Sequence, residues 1–97
     1  MSHYIILVNF TDQGIKNVKD SPKRAEAFRS ALEKEGGKVI NLYYTLGKHD
    51  IVAIVEAPND EAIASVLYVT GSLGNVRTKT LKAFPMSEAA KIIEKLS

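Results

Sequence analysis

Two segments of this chain are apolar without interruption, Tyr4-Ile5-Ile6-Leu7-Val8 and Ile51-Val52-Ala53-Ile54-Val55. Both are short, rich in β-branched side chains and bounded by polar or turn-forming residues. Each therefore reads as a strand, the first over His3 to Phe10 and the second over His49 to Ala57. Successive strand residues point to opposite faces, so a strand apolar at every position has no face fit for water. These two strands belong in the middle of a sheet. Two further strands are more polar. In Lys38 to Leu46, Ile40, Leu42, Tyr44 and Leu46 are expected on one side, and Val39, Asn41, Tyr43 and Thr45 on the other. Asn75 to Phe84 carries Arg77-Thr78-Lys79-Thr80-Leu81-Lys82 and suits an edge, where charge discourages open-ended pairing.

The connections complete the pattern. Thr11 to Asp20 is polar, contains Gly14 and reads as a loop with room for one helical turn. Ser21 as N-cap and Pro22 at the first helical position start a helix. Its buried stripe is Ala25, Phe28 and Leu32, and Gly36-Gly37 ends it. Gly47-Lys48 makes a hairpin-type turn between the second and third strands. Pro58-Asn59-Asp60 opens a second helix, capped by Asn59 or Asp60, with Ile63, Val66, Leu67 and Thr70 inward and Gly71-Ser72-Leu73-Gly74 at its end. Ser87 is expected to cap a last helix with Ala89, Ile92, Ile93 and Leu96 on one face.

The order β-α-β-β-α-β plus a terminal helix is the ferredoxin-like α+β arrangement in one domain, residues 1–97. Its sheet order, 4-1-3-2, puts the two continuously apolar strands at the centre and the polar pair at the edges. Two helices cover one face of such a sheet. The other face would expose apolar side chains from both central strands, and a contiguous patch of that kind marks an interface. The expectation is a homodimer or higher oligomer, sheet against sheet, as a dimeric α/β barrel, with the last helix at the periphery. The competing arrangement has the helix at Ser87–Leu96 folded back over that face. A domain of this size buries about 60–65% of its extended-chain surface, so burial between copies would help.

Composition removes several classes of function. The net charge of +2 is not that of a dedicated nucleic-acid binder, and the third strand lacks the base-stacking aromatics that RNA readers of this fold class carry. There is no cysteine, which excludes disulfides, thiolate metal sites and cysteine nucleophiles. Met1-Ser2-His3-Tyr4 is not the start of a signal peptide, and no apolar run approaches the roughly 20 residues that span a bilayer. The chain is expected in the cytoplasm, with neither nucleic acid nor membrane as partner.

Several short motifs carry a family likeness: Tyr4-Ile5 with Asn9-Phe10-Thr11, Thr11-Asp12-Gln13-Gly14-Ile15-Lys16-Asn17, Ser21-Pro22-Lys23-Arg24 and Gly36-Gly37. Gly47-Lys48-His49-Asp50-Ile51-Val52, Glu56-Ala57-Pro58, Gly74-Asn75-Val76-Arg77-Thr78 and Ala83-Phe84 extend it over nearly the whole chain. In these the chain resembles the GYD-domain family, small proteins of the dimeric α/β barrel type. His49 stands where that family's tyrosine precedes the aspartate. The resemblance implies the fold and self-association; the family has no general activity to carry over. Residues 38–84 are more loosely similar to the effector-binding domain of leucine-responsive regulators, which binds amino acids between subunits. No DNA-binding helix-turn-helix precedes the domain in this sequence.

Five residues are candidates for a ligand site: His49, Asp50, Tyr43, Tyr44 and Arg77. His49 and Asp50, adjacent on a strand, would point to opposite faces and could not pair with each other. Asp50 either satisfies backbone donors at the turn or reaches a barrel mouth. Histidine can serve as a general acid or base near neutral pH. Tyr43 and Tyr44 also point oppositely, for packing or to line a cavity. Arg77 suits an anion, as does Arg24, whose charge opposes the dipole at its helix start and calls for a partner such as Asp12, Asp20 or a ligand carboxylate. A metal held by His3 and His49 would need Glu56, Asp12 or Asp50 as well, and no ligand spacing supports it. No metal and no cofactor are therefore expected. The leading function is small-molecule binding in a barrel or inter-subunit pocket. The alternatives are a cofactor-independent enzyme using His49, and a structural or protein-interaction module.

Overall fold

Strand β1 (Ser2–Phe10) is the third of four antiparallel strands, in the order β2 (Lys38–Tyr44), β3 (Ile51–Ala57), β1, β4 (Val76–Ala83). The structure, a computed structural model, describes residues 1–96. The strand order is the one expected from polarity, and the two continuously apolar strands occupy the centre. On one face Tyr4, Ile6, Val8, Ile51, Ala53, Val55 and Ala57 are buried beneath α2 (Ser21–Lys34) and α3 (Asp60–Ser72). Leu32 from α2, with Ile63 and Val66 from α3, closes that core.

The segment after β1 is more ordered than a loop. It forms α1 (Asp12–Lys16) and a 3-10 turn at Val18–Asp20 that runs directly into α2. Thr11 caps α1 by accepting a hydrogen bond from the Gly14 N–H at 3.1 Å. Ser21 is not the cap expected of it. The 3-10 turn supplies the preceding helical residues, so the Ser21 side chain is free to turn inward, where it is buried. Asn59 does cap α3, accepting from the Ala62 N–H at 2.9 Å. The last helix, α4 (Met86–Glu94), starts one residue before Ser87, and Pro85 takes the cap position.

Two differences in the β2–β3 hairpin bear on the candidate site. The strands stop at Tyr44 and resume at Ile51, so His49 and Asp50 lie in a six-residue connection outside both strands. Gly47 there has φ +103°, which a Cβ would disfavour. The second difference is a bulge between Val39 and Asn41. The extra residue shifts the phase of β2, so that Val39, Leu42 and Tyr44 face the helices while Asn41 and Tyr43 face away.

Among the described residues, no helix lies over the centre of the other face of the sheet; α4 approaches only its His3 end. Register places Ile5 between Ile54 and Leu81, and Leu7 between Val52 and Lys79. Tyr43 lies opposite Val52, and Asn41 opposite Ile54. Helix α4 does not fold back over this apolar band. It stands at the periphery with Ile92 47% and Ile93 62% exposed, and Leu96, just beyond its end, is 72% exposed. Its polar link to the sheet runs from Glu88 to His3 Nδ1, at 3.9 Å, at the far end of β1. Among the described residues, no helix is long and apolar enough to cross a membrane.

Candidate functional site

Asn9 ends the open face of β1 and brings two of the candidates together. Its Oδ1 lies 3.0 Å from His49 Nδ1, and its Nδ2 donates to the Lys48 carbonyl at 2.7 Å. Arg77 is its direct cross-strand neighbour on β4. One row further in, Tyr43 and Lys79 flank Val52 and Leu7. Tyr43, His49, Asn9 and Arg77 therefore share one end of the open face, with the Tyr43 side chain 55% exposed and Arg77 also exposed. Donors from an amide, a guanidinium and a phenol at the edge of an apolar floor suit a small molecule with a carboxylate end.

Asn9 was not among the candidates. Its signal was available: it is the first polar residue after an apolar strand, on the face that the alternation of β1 leaves uncovered.

Asp50 and Tyr44 are placed differently. Asp50 Oδ2 accepts the Phe10 N–H at 2.9 Å, while the Asp50 N–H donates to Val8 O at 2.9 Å and Thr45 N–H donates to Asp50 O at 2.8 Å. The donor satisfied by the carboxylate lies on β1, not in the hairpin. Just before β3 begins, the side chain extends the β1–β3 ladder by one bond. Thr45 Oγ1 donates to His49 O at 2.6 Å and steadies the same connection. Tyr44 faces the helices, its hydroxyl 2.7 Å from Ser21 Oγ.

Arg24 has neither of the carboxylate partners considered for it. Its Nη1 donates to Asn17 O at 3.0 Å and its Nη2 to Gly14 O at 3.3 Å. The cation sits at the C-terminal end of α1, where carbonyls point outward and positive charge is favoured. The N-terminal end of α1 is locked in turn onto the connection between α3 and β4. Thr11 Oγ1 donates to Gly74 O at 2.6 Å, and Thr11 N–H donates to Asn75 O at 3.0 Å. Gln13 Nε2 reaches Leu73 O at 3.1 Å and Asn75 Oδ1 at 3.0 Å. A Cβ on Gly14 would stand 1.9 Å from Asn75 O, so only glycine lets α1 approach β4 this closely.

A second polar group lies between α3 and β4. The Tyr4 hydroxyl and Lys82 Nζ both donate to Asp60 Oδ1, the latter at 3.0 Å, and the ammonium lies 5.3 Å from the Tyr4 ring centroid. Burial, reinforced by the bond to Asp60, raises the Tyr4 pKa. The Tyr4 and Lys82 donors lower that of Asp60, and Asp60 raises that of Lys82. Among the described residues, no cluster of three or more His, Asp or Glu side chains is arranged to hold a metal ion.

Residues 4–93 match the GYD domain family model. The chain belongs to the GYD domain family. Within that span lie Thr11–Gly14, locked onto Leu73–Asn75, and Asp50, held against β1. A curated relative from Thermus thermophilus is 33% identical over 89 residues, spanning 91% of this chain and 94% of the relative; it is named a glutamine synthetase and cystathionine beta-lyase binding protein. Among solved structures, TTHA0845 from Thermus thermophilus is similar with a TM-score of 0.56 and 26% identity, over 88% of this chain and 95% of that one. A feast or famine regulatory protein from M. tuberculosis, solved with L-methionine, gives a TM-score of 0.65 at 20% identity over 88% of this chain. The GYD chain spans about half of that regulator, 51% of its length, and shares its fold.

Proposed function

We propose that this GYD domain is a self-associating binding module whose first partner is a second copy, seated sheet against sheet on the open face. The observation that carries the proposal is the apolar band Ile5, Leu7, Val52, Ile54 and Leu81, the first four half-buried and Leu81 exposed in the single chain, with α4 standing to the side. Charge supports a paired arrangement. Arg77 and Lys79 lie toward one end of the face; His3, Glu56 and Lys38 lie at the other, with Glu88 beside them. A twofold axis between the sheets and across the strands sets the basic end of each copy near the carboxylates of the other. Tyr43, His49, Asn9 and Arg77 then stand at the rim of the interface, where a small carboxylate-bearing molecule has donors and an apolar floor. Asp50 and Tyr44 hold the hairpin in place beside it. The cysteine-free composition suits a cytoplasmic setting.

Analytical ultracentrifugation at micromolar concentration tests the assembly. The wild type is expected to sediment as a dimer or larger, and Ile54→Lys, at the centre of the band, as the 10.6 kDa monomer. A wild type that sediments only as monomer overturns the proposal. For the rim, amino acids should raise the melting temperature of the wild type and not that of Arg77→Ala. A second reading, an interaction module for other proteins, is favoured by the Thermus relative's name. Co-sedimentation with purified glutamine synthetase tests it.

A further inference from the structure

On the helix side of the sheet, α2 and α3 do not close over the strands along their whole length. A cleft of about 160 Å³, open to solvent on the side of the exposed Val69 and Leu73, lies beneath them, toward the end where α2 begins and α3 finishes. Val8, Phe28, Leu42, Ala53, Leu67 and Val76 are among the residues that form its apolar wall. The cause is visible in the sequence. The inward side chains of α2 shrink toward its N-terminus, from Leu32 and Phe28 to Ala25 and Ser21, and Ala53 lies below them on β3. Leu32 is fully buried and seats the far end of the helix. The Ser21 end rests on small side chains and leaves space.

Polar groups gather at one margin of this space. Ser21, the buried polar residue of the core, has its hydroxyl 2.7 Å from that of Tyr44. Two hydroxyls bonded to each other use one O–H donor and leave the second free. Arg24 borders the same margin, and its bonds to Gly14 O and Asn17 O occupy two of the five guanidinium N–H donors. Elsewhere the polar side chains of the wall are Thr70, whose hydroxyl donates to Val66 O at 2.8 Å, Asn75, whose Oδ1 accepts from Gln13, and Thr78; the remaining wall is apolar. A water held there needs about two to four polar partners, and an enclosed apolar hole of about 150 Å³ in a protein takes up benzene, so an apolar ring is the better occupant of a cleft of this size and lining.

We infer that the cleft is a binding site for a small apolar ring or short branched chain, on the order of six to eight heavy atoms, bearing one hydroxyl or carboxylate that meets Ser21 and Arg24. The site lies across the sheet from the proposed self-association face. Neither inference rests on the other.

Methyl-detected NMR titration of the wild-type protein with benzene, phenol and benzoate tests it. All three are expected to give saturable shifts confined to Ala25, Ala53, Leu42, Leu67 and Val76, with ring-to-methyl NOEs to the same residues. The two oxygen-bearing rings should bind more tightly than benzene. Ser21→Ala should narrow that preference while leaving benzene binding intact. Ala25→Leu, which fills the space, should weaken phenol by about tenfold or more, about 1.4 kcal/mol. If Ala25→Leu loses its spectral dispersion, the wild-type NOEs decide alone. Absence of saturation with every probe up to its solubility overturns the inference. So do saturable shifts at Ile5, Leu7, Val52 and Ile54, which would put the ring on the open sheet face.

Discussion

Replacing Asp50 by alanine removes the acceptor of the Phe10 N–H and leaves the rest of the hairpin's backbone bonds in place. The carboxylate lies 2.9 Å from that nitrogen and is partly buried, as is Phe10. A hydrogen bond to a charged acceptor contributes about 1.5–3 kcal/mol, and a stranded buried donor costs about 1–3 kcal/mol. Some solvent can reach the orphaned N–H, so the expected loss for Asp50→Ala is about 1–3 kcal/mol. Asp50→Asn retains a carbonyl acceptor without the charge and should cost about half as much. For a domain of this size each kcal/mol corresponds to about 4–8 °C in melting temperature. The assay is urea denaturation of wild type, Asp50→Ala and Asp50→Asn at one protein concentration, since self-association would couple stability to concentration. An Asp50→Ala loss below about 0.5 kcal/mol, the size of an ordinary surface change, would refute the bridging role. It would leave Asp50 as a candidate for direct ligand contact. Asparagine as costly as alanine would show that the charge, not the accepted bond, is what matters.

Gly14→Ala should be among the most disruptive single-methyl changes in the chain. Its Cβ would stand 1.9 Å from Asn75 O, so α1 must retreat and strain the Thr11 N–H to Asn75 O bond. A loss of about 1–3 kcal/mol is expected by thermal melting, and an unchanged melting temperature would show that α1 is not held against β4. The Tyr4–Asp60–Lys82 group should lose its contribution at both pH extremes. Asp60 has a lowered folded pKa, so its contribution is present above its unfolded value near about 4 and is lost as pH falls through the lowered one. Tyr4 and Lys82 have raised folded values, so theirs hold below about 10 and fade as pH climbs beyond. Melting curves from the acid limb up to neutral pH should show a shallower acid limb for Asp60→Asn; an unchanged limb would assign the acid response to other carboxylates.

Strand order was legible in the chain because burial on both faces is a property of each strand taken alone. Tyr4–Val8 and Ile51–Val55 need cover on both sides wherever they are placed, and the middle of a sheet is where they find it. The Asn59 cap was legible for the same reason, since its partner Ala62 N–H lies three residues away. What escaped a linear reading depended on groups far apart in sequence. The bulge at Val39/Asn41 changes which side chains of β2 share a face, and it exists only in the pairing with β3. Ser21 turns inward to a hydroxyl 23 residues away, and Arg24 takes carbonyls of α1 in place of a carboxylate. Asn9 meets His49 across 40 residues, and Asp50 reaches Phe10 over the same separation. Periodicity and caps are written in neighbours along the chain. Register and partner choice arise when strands and helices pack, because buried donors must find acceptors among whatever groups the fold brings within about 3 Å.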